Sequence, residues 1–350
     1  MNKPEYLDYA ATTPVDPRVL EAMMPYFSEE FGNASSNTHS YGDVARKAVN
    51  KGIEQVAYLI NAQPSEIVIT SGATEAINLA LKGTYWAYQE RSKHIITVKT
   101  EHKAVLDTCE WLETIGAEVT YLDVDSEGII NWEQYEEALL DQPLLVSILH
   151  VNNETGVIQD IEKASQMAHE AGVFFFTDAT QSFGKLPIDM SELNLDMLCF
   201  SAHKVYGPKG VGGLYIKNGI KPMPLIHGGG HQKGMRSGTL NVPGIVGLGK
   251  AAEIAALEMD QNYKVAQAKQ QKIETQYLSE FGATINGKID QRTPYISNLN
   301  IQQDADDFIL KNRSKLGVAT GSACNAEVIE SSHVLRAMGI NEPNSIRLSL

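Results

Sequence analysis

From about residue 66 to residue 216 the chain alternates short β-rich runs with stretches whose apolar residues recur at spacings of three and four. Strands separated by helices cannot pair as tight hairpins, so they line up as a parallel or mostly parallel sheet with helices on its faces. The expected strands are Ile67 to Thr70, His94 to Val98, Glu118 to Leu122, Leu144 to Leu149, Val173 to Thr177, Asp196 to Phe200 and Gly213 to Ile216. Lys103 to Thr114, Trp132 to Leu140 and Ile161 to Ala171 are the expected helices between them. The fold class is therefore α/β, with a seven-stranded sheet flanked by helices.

Outside that region, Asp16-Pro17 reads as an N-cap followed by proline at the first helical position, starting a helix to about Glu29. A second helix follows from about Tyr41 to Ile60. Beyond Gly249 a long polar helix to about Phe281 leads into weaker β signals, Ile296 to Ile301 and Ile346 to Leu350. Residues 16–250 are expected to form a large domain, and residues 1–15 with 251–350 a smaller α+β domain that carries Cys324.

A hydrophobic fraction of 43% in 350 residues supports a substantial core. Lysine and arginine number 29 against 43 acidic residues, a net charge of -14, which argues against direct contact with a nucleic acid backbone. No apolar run approaches the roughly 18 residues of a membrane span, and Met1-Asn2-Lys3-Pro4-Glu5 opens no apolar signal region, so the expected location is cytoplasmic and no membrane partner is expected. The three cysteines fit neither a disulfide framework nor a zinc pattern, and no metal is expected. Cys109 shares a helical face with Val105 and Leu112, and Cys199 lies in an apolar strand, so both read as core. Cys324, in Gly321-Ser322-Ala323-Cys324, sits in a small-residue polar setting that favours a reactive thiol.

Chemistry concentrates where strands end. Lys204 stands in Ser201-Ala202-His203-Lys204, ahead of a glycine-rich run, and Asp178 closes the apolar run from Val173. A lysine amine beside hydroxyl and imidazole donors, with a carboxylate from a neighbouring strand, is what pyridoxal phosphate requires: an amine to bind it covalently and an anion to keep its ring nitrogen protonated. Ser71-Gly72-Ala73-Thr74-Glu75 follows a strand and opens a helix, a setting suited to phosphate, with Ala73 and Thr74 in its first turn. Gln181 lies three residues beyond Asp178 and can donate to the ring's phenolic oxygen. His102 and Asn153 follow two further strands at the same sheet edge; His102 can stack on the ring and shuttle protons. The glycine-rich segment from His227 to Thr239, with two histidines and Arg236, suits an anion contact. Arg347 alternates with apolar neighbours, as does an arginine aimed into a cleft to hold a carboxylate, although an ordinary edge-strand arginine has the same spacing.

Tyr6-Leu7-Asp8-Tyr9-Ala10-Ala11-Thr12-Thr13-Pro14, Thr70 to Glu75, Asp178-Ala179-Thr180-Gln181-Ser182, Ser201 to Lys204 and Gly321 to Cys324 together resemble the cysteine desulfurases, within the class V aminotransferases. The resemblance spans nearly the whole chain in the family's order. It implies a fold-type I pyridoxal-phosphate enzyme that converts L-cysteine to L-alanine, with a persulfide formed on Cys324 and passed to a protein sulfur acceptor. It further implies that Lys204 binds the cofactor covalently, that Asp178 and Gln181 hold the ring under His102, and that Thr74, Ser201 and His203 bind the phosphate. Thr239 would reach the phosphate of a partner subunit, which makes the expected assembly a homodimer. Asn153, Arg347 and Asn33 would receive the substrate carboxylate, and His102 is the expected base for the Cys324 thiol.

Gly-Ser-Ala-Cys resembles the long-loop desulfurases of iron-sulfur assembly. Housekeeping members run on beyond the Arg347 strand into a tail that helps dock their scaffold, and this departure brings in short relatives that supply sulfur for DNA phosphorothioation. Either system is an expected acceptor. A transaminase or selenocysteine lyase of the same class shares Lys204 and Asp178 without requiring Cys324; a scaffold that only binds partners requires neither Lys204 nor Cys324.

Overall fold

The computed structural model describes residues 3–321 and 332–350, so the expectations on Cys324 lie outside the described residues. The central sheet comprises β1 (Ile67–Thr70), β2 (His94–Val98), β3 (Glu118–Leu122), β4 (Leu145–Ser147), β5 (Phe174–Asp178), β6 (Met197–Ser201) and β7 (Gly212–Ile216). They lie in the order β1-β7-β6-β5-β4-β2-β3. Only β7 is antiparallel to its neighbours, so six strands point the same way and their carboxyl ends share one edge. That edge is where open α/β sheets bind ligands.

Apart from the edge strand β3, apolar runs formed these strands because both faces are buried, and the period of two deals alternate residues to the two faces. Ile96, Val146, Phe175, Leu198 and Phe200 join one core with the helices Ser40–Leu59 and Val242–Phe281. Ile95, Leu145, Phe176, Met197 and Cys199 join the other, under the helices Ala73–Tyr88 and Lys103–Glu113. The alternation also sets the register in which Asp178 faces Cys199 across β5 and β6.

Two helices differ from expectation. The helix starting at Pro17 ends at Met23, and a separate turn, Pro25–Ser28, follows, because Pro25 has no N–H to continue the ladder. The long helix begins at Val242, with Asn241 capping Gly244 N–H, and runs unbroken to Phe281. Its glycines, which hid that start, allow a close crossing: a Cβ on Gly249 would lie 2.4 Å from the Cα of Gly52.

The late β signals form an antiparallel sheet in which Ile296–Asn300 lies between Thr284–Asn286 and Ser345–Ser349. The N-terminal strand Glu5–Tyr6 pairs with Leu316–Gly317, and a separate apolar cluster of Leu7, Leu299, Phe308, Ile346 and Leu348 fills this region. Among the described residues, no helix is long and apolar enough to cross a membrane, and no cluster of three or more acidic, histidine or cysteine groups is arranged for a metal.

Candidate active site

A cavity of about 460 Å³ opens at the carboxyl edge of the sheet. Ala73, Thr74, His102, Asn153, Asp178, Gln181, Ser201, His203, Lys204 and Arg347 all line it, although they come from six stretches of sequence. Asn33 and Thr239 do not. Asn33 is exposed, and its side chain accepts from Ser35 N–H at 2.9 Å, closing its own turn. Thr239 is also exposed. In the segment before it, Arg236 pairs with Glu75 at 2.8 Å, so its charge is already engaged. Gln232 of that segment accepts from Ile69 N–H and donates to Ile69 C=O, covering the open edge of β1.

Asp178 is 7% exposed. Its Oδ1 accepts from Thr180 N–H at 2.8 Å and from the Cys199 thiol at 3.3 Å. Burial first, and then the Asp178 charge, push the Cys199 thiol well up, so it stays a neutral donor. Among the described residues Oδ2 takes no hydrogen bond, so it would be available to a protonated ring nitrogen. Below this pair lies Glu101, fully buried, whose Oε1 accepts from Leu149 N–H at 2.6 Å. Burial and the nearby Asp178 charge push its carboxyl well above the usual range, so Glu101 keeps its proton.

At the opposite end, the helix Ala73–Tyr88 starts at Gly72 with no side chain capping its first N–H groups. Gly72 has φ of 153°, a conformation L side chains rarely adopt, and a Cβ there would sit 3.7 Å from Ser201 Oγ. An uncapped helix N-terminus facing a hydroxyl is a phosphate cradle. His203 Nδ1 meets Thr12 Oγ1 at 3.1 Å, which leaves Nε2 available. Burial, then the charges of Lys204, Lys209 and Lys185, hold His203 down to about 4.

The N-terminal segment forms one wall. The carbonyls of Ala10 and Ala11 accept from Lys204 Nζ at 2.6 and 2.8 Å, and Ala10 C=O also accepts from Gln181 Nε2 at 3.0 Å. Arg347 is 1% exposed, so its guanidinium is no ordinary edge residue. Its Nη2 donates to Asp8 Oδ1 at 2.6 Å and its Nη1 to Asn153 C=O at 3.1 Å, while Nε has no partner among the described residues.

His102 takes a form that bears on its expected role. It caps the helix Lys103–Glu113, with Nδ1 accepting from Ala104 N–H at 3.1 Å. The neutral ring then carries its hydrogen on Nε2 and offers the cavity a donor. Burial, with smaller effects from neighbouring charges, lowers its pKa. Service as a base at Nε2 requires the other tautomer and loss of this cap.

Sequence reasoning missed Asp8, Glu101 and the carbonyls of Ala10 and Ala11. Asp8 stood inside a quoted motif without a role; its partner is 339 residues away. Glu154 was also passed over. It is fully buried, neither carboxylate oxygen has a partner among the described residues, and a Cβ on Gly321 would lie 3.1 Å from its Oε2.

The aminotransferase class-V family matches residues 5–350. The chain belongs to this family. Cysteine desulfurase IscS of Vibrio vulnificus (strain YJ016) is 48% identical over 356 residues, covering 100% of this chain and 88% of the relative. Among solved structures, a NifS-like protein superposes with a TM-score of 0.92 at 38% identity, covering 100% of this chain and 94% of the other. SspA in complex with cysteine superposes with a TM-score of 0.89 at 40% identity, covering 100% and 99%. The class-V cofactor is pyridoxal 5′-phosphate. The cavity's donor set fits it: a lysine amine, an anion with one open oxygen, and an uncapped helix start beside Ser201 and His203.

Proposed function

We propose that this class-V enzyme is a cysteine desulfurase that takes L-cysteine to L-alanine and moves its sulfur onto Cys324 as a persulfide, for delivery to a protein acceptor. The observation that carries this reading is one cavity holding Lys204, Asp178 and Arg347, in a chain 48% identical to a desulfurase and bearing Cys324. When bound, pyridoxal phosphate supplies an electrophilic carbon for the substrate amine and a ring that takes up electrons as the Cα proton leaves.

In this reading Lys204 binds the cofactor and carries the Cα proton, its Nζ aligned by the Ala10 and Ala11 carbonyls. Asp178 keeps the ring nitrogen charged, Gln181 donates to the phenolic oxygen, and His102 covers the ring face. Ala73, Thr74, Ser201 and His203 hold the phosphate. Arg347 and Asn153 receive the substrate carboxylate; Asn33 is not proposed for this chain's own cavity. The overall transfer balances, since L-cysteine and the Cys324 thiol give L-alanine and a Cys324 persulfide with no outside oxidant.

The exposure of Thr239 supports a homodimer in which it reaches the partner's phosphate. The two apolar clusters around the central sheet and the third around Leu299 and Ile346 support a large and a small domain, for which we propose residues 16–250 and 1–15 with 251–350, although Ala251, Ala252 and Ala255 pack with the large one. We place the enzyme in the cytoplasm. The acceptor belongs to iron-sulfur assembly or to DNA phosphorothioation, and at a net charge of -14 any contact with DNA falls to a partner.

The test is alanine and sulfide release from L-cysteine with reductant, wild type against Cys324→Ala at equal cofactor loading. Wild type is expected to release both products and the variant neither. Equal release from the two proteins would return the chain to the transaminase or lyase reading.

A further inference from the structure

Lys185 lies four residues beyond Gln181, outside the cofactor cavity. It lines a second hollow of about 330 Å³ between the N-terminal segment and the helix Val242–Phe281. It is 5% exposed, and among the described residues no carboxylate engages it. Of the charged groups lining the same hollow, Asp16 and Glu258 are paired with Arg18, and Lys269 lies 3.7 Å from Glu5. The remaining titratable neighbours are the phenols of Tyr9, Tyr206 and Tyr295, the last with its ring centre 5.6 Å from Nζ. On the cavity side stand Lys204 and His203, each coupled to Lys185 through its charge.

Among the described residues the Lys185 amine makes one hydrogen bond, to Gln181 Oε1 at 3.5 Å. Gln181 Nε2 then donates to Ala10 C=O, the oxygen that also accepts from Lys204. A relay therefore crosses the cavity wall: Lys185, the Gln181 amide, the Ala10 carbonyl, Lys204. A carboxamide in this relay has one good orientation. Turned over, its NH₂ would face an ammonium and its oxygen would face a carbonyl, and both contacts repel.

We propose that Lys185 is a positioning residue for the desulfurase reaction: it fixes the orientation of the Gln181 amide, so that a second N–H is offered to the bound cofactor with a positive charge behind it. This rests on the reading of the cavity as a pyridoxal-phosphate site. The amine is well suited to the task because, among the described residues, no side-chain carboxylate pairs with it. Burial, and then the Lys204 charge, bring it down to about 7, so part of that charge is present at neutral pH.

The experiment is a pH titration of the visible absorption of the bound cofactor in wild type, Lys185→Met and Lys185→Arg holoenzymes. Methionine keeps the length of the chain and removes both donor and charge; arginine keeps both. A positive charge and a hydrogen-bond donor near the ring oxygen favour the deprotonated chromophore. Lys185→Met is therefore expected to raise the titration midpoint by at least about half a pH unit, with Lys185→Arg close to wild type. A Lys185→Met midpoint within about 0.2 unit of wild type overturns the proposal. If Lys185→Met does not fold, Gln181→Met removes the same relay from its other end and must raise the midpoint; an unchanged midpoint there is equally fatal. Failure of the wild type to bind pyridoxal phosphate through Lys204, read by borohydride reduction and peptide mass, overturns the functional reading and this inference with it. Normal binding with unshifted midpoints overturns only the inference.

Discussion

Replacing Asp8 by asparagine should expose how the guanidinium of Arg347 is tolerated inside the protein. The two side chains are 19% and 2% exposed, and the carboxylate accepts from Nη2 at 2.6 Å. No second acid pairs with Arg347 among the described residues, and its other hydrogen bond goes to a neutral carbonyl. Removing one member of a fully buried pair costs about 3–5 kcal/mol, chiefly because the remaining charge is left desolvated. Asp8 is partly hydrated and asparagine keeps an acceptor, so about 2 kcal/mol is the appropriate figure here. The assay is denaturant unfolding of wild type and Asp8→Asn with matched cofactor loading, repeated with increasing L-alanine. On the proposed reading, in which Arg347 receives the product's carboxylate, that carboxylate supplies the missing negative charge and the gap in stability should shrink to below about 1 kcal/mol at saturation. A gap under about 0.5 kcal/mol without ligand, or one indifferent to L-alanine, would refute the reasoning.

Two further outcomes follow from other residues. Glu101 holds its proton in the folded protein to a pH well above that at which it ionises in the unfolded chain, near 4.3, so this group weakens the fold as pH rises from there. Glu101→Gln should therefore gain stability relative to wild type between about pH 5 and 7.5, measured as urea midpoints across that range; parallel curves would mean that Glu101 ionises normally. In Gly212→Ala the new methyl would lie 2.5 Å from Phe200 C=O and 2.8 Å from Gly72 Cα, both backbone, so about 2–3 kcal/mol should be lost together with cofactor retention on dialysis.

The sheet was legible because most of its strands are apolar runs closed by polar residues, and the observed ends of β1, β2 and β3 coincide with those read from sequence. The helix Val242–Phe281 was half hidden, since Gly244, Gly247 and Gly249 lower helix propensity in isolation, yet Gly249 is required where the helix crosses Gly52. Residues that act through side chains at strand ends, such as Asp178 and Lys204, could be picked out from their neighbours in sequence. Residues that act through backbone or through a distant partner could not. The Ala10 and Ala11 carbonyls bear no signature in residue type, and Asp8 gains meaning only when Arg347 is folded against it. Lys185 was not singled out from sequence, and only packing shows that it is enclosed.

That N-terminal wall has a consequence for the order of assembly. Asp8 waits for Arg347, and Ala10 N–H for Ser349 Oγ at 2.8 Å, contacts that each span 339 residues. During synthesis β2 to β7 of the central sheet emerge in sequence and from β3 on each can pair with a strand already made, leaving β1 to be joined by β7, whereas the pocket's first wall must be held open until Ser345–Ser349 has left the ribosome. A growing chain thus displays Lys204 long before Arg347 is available to close this wall of the pocket.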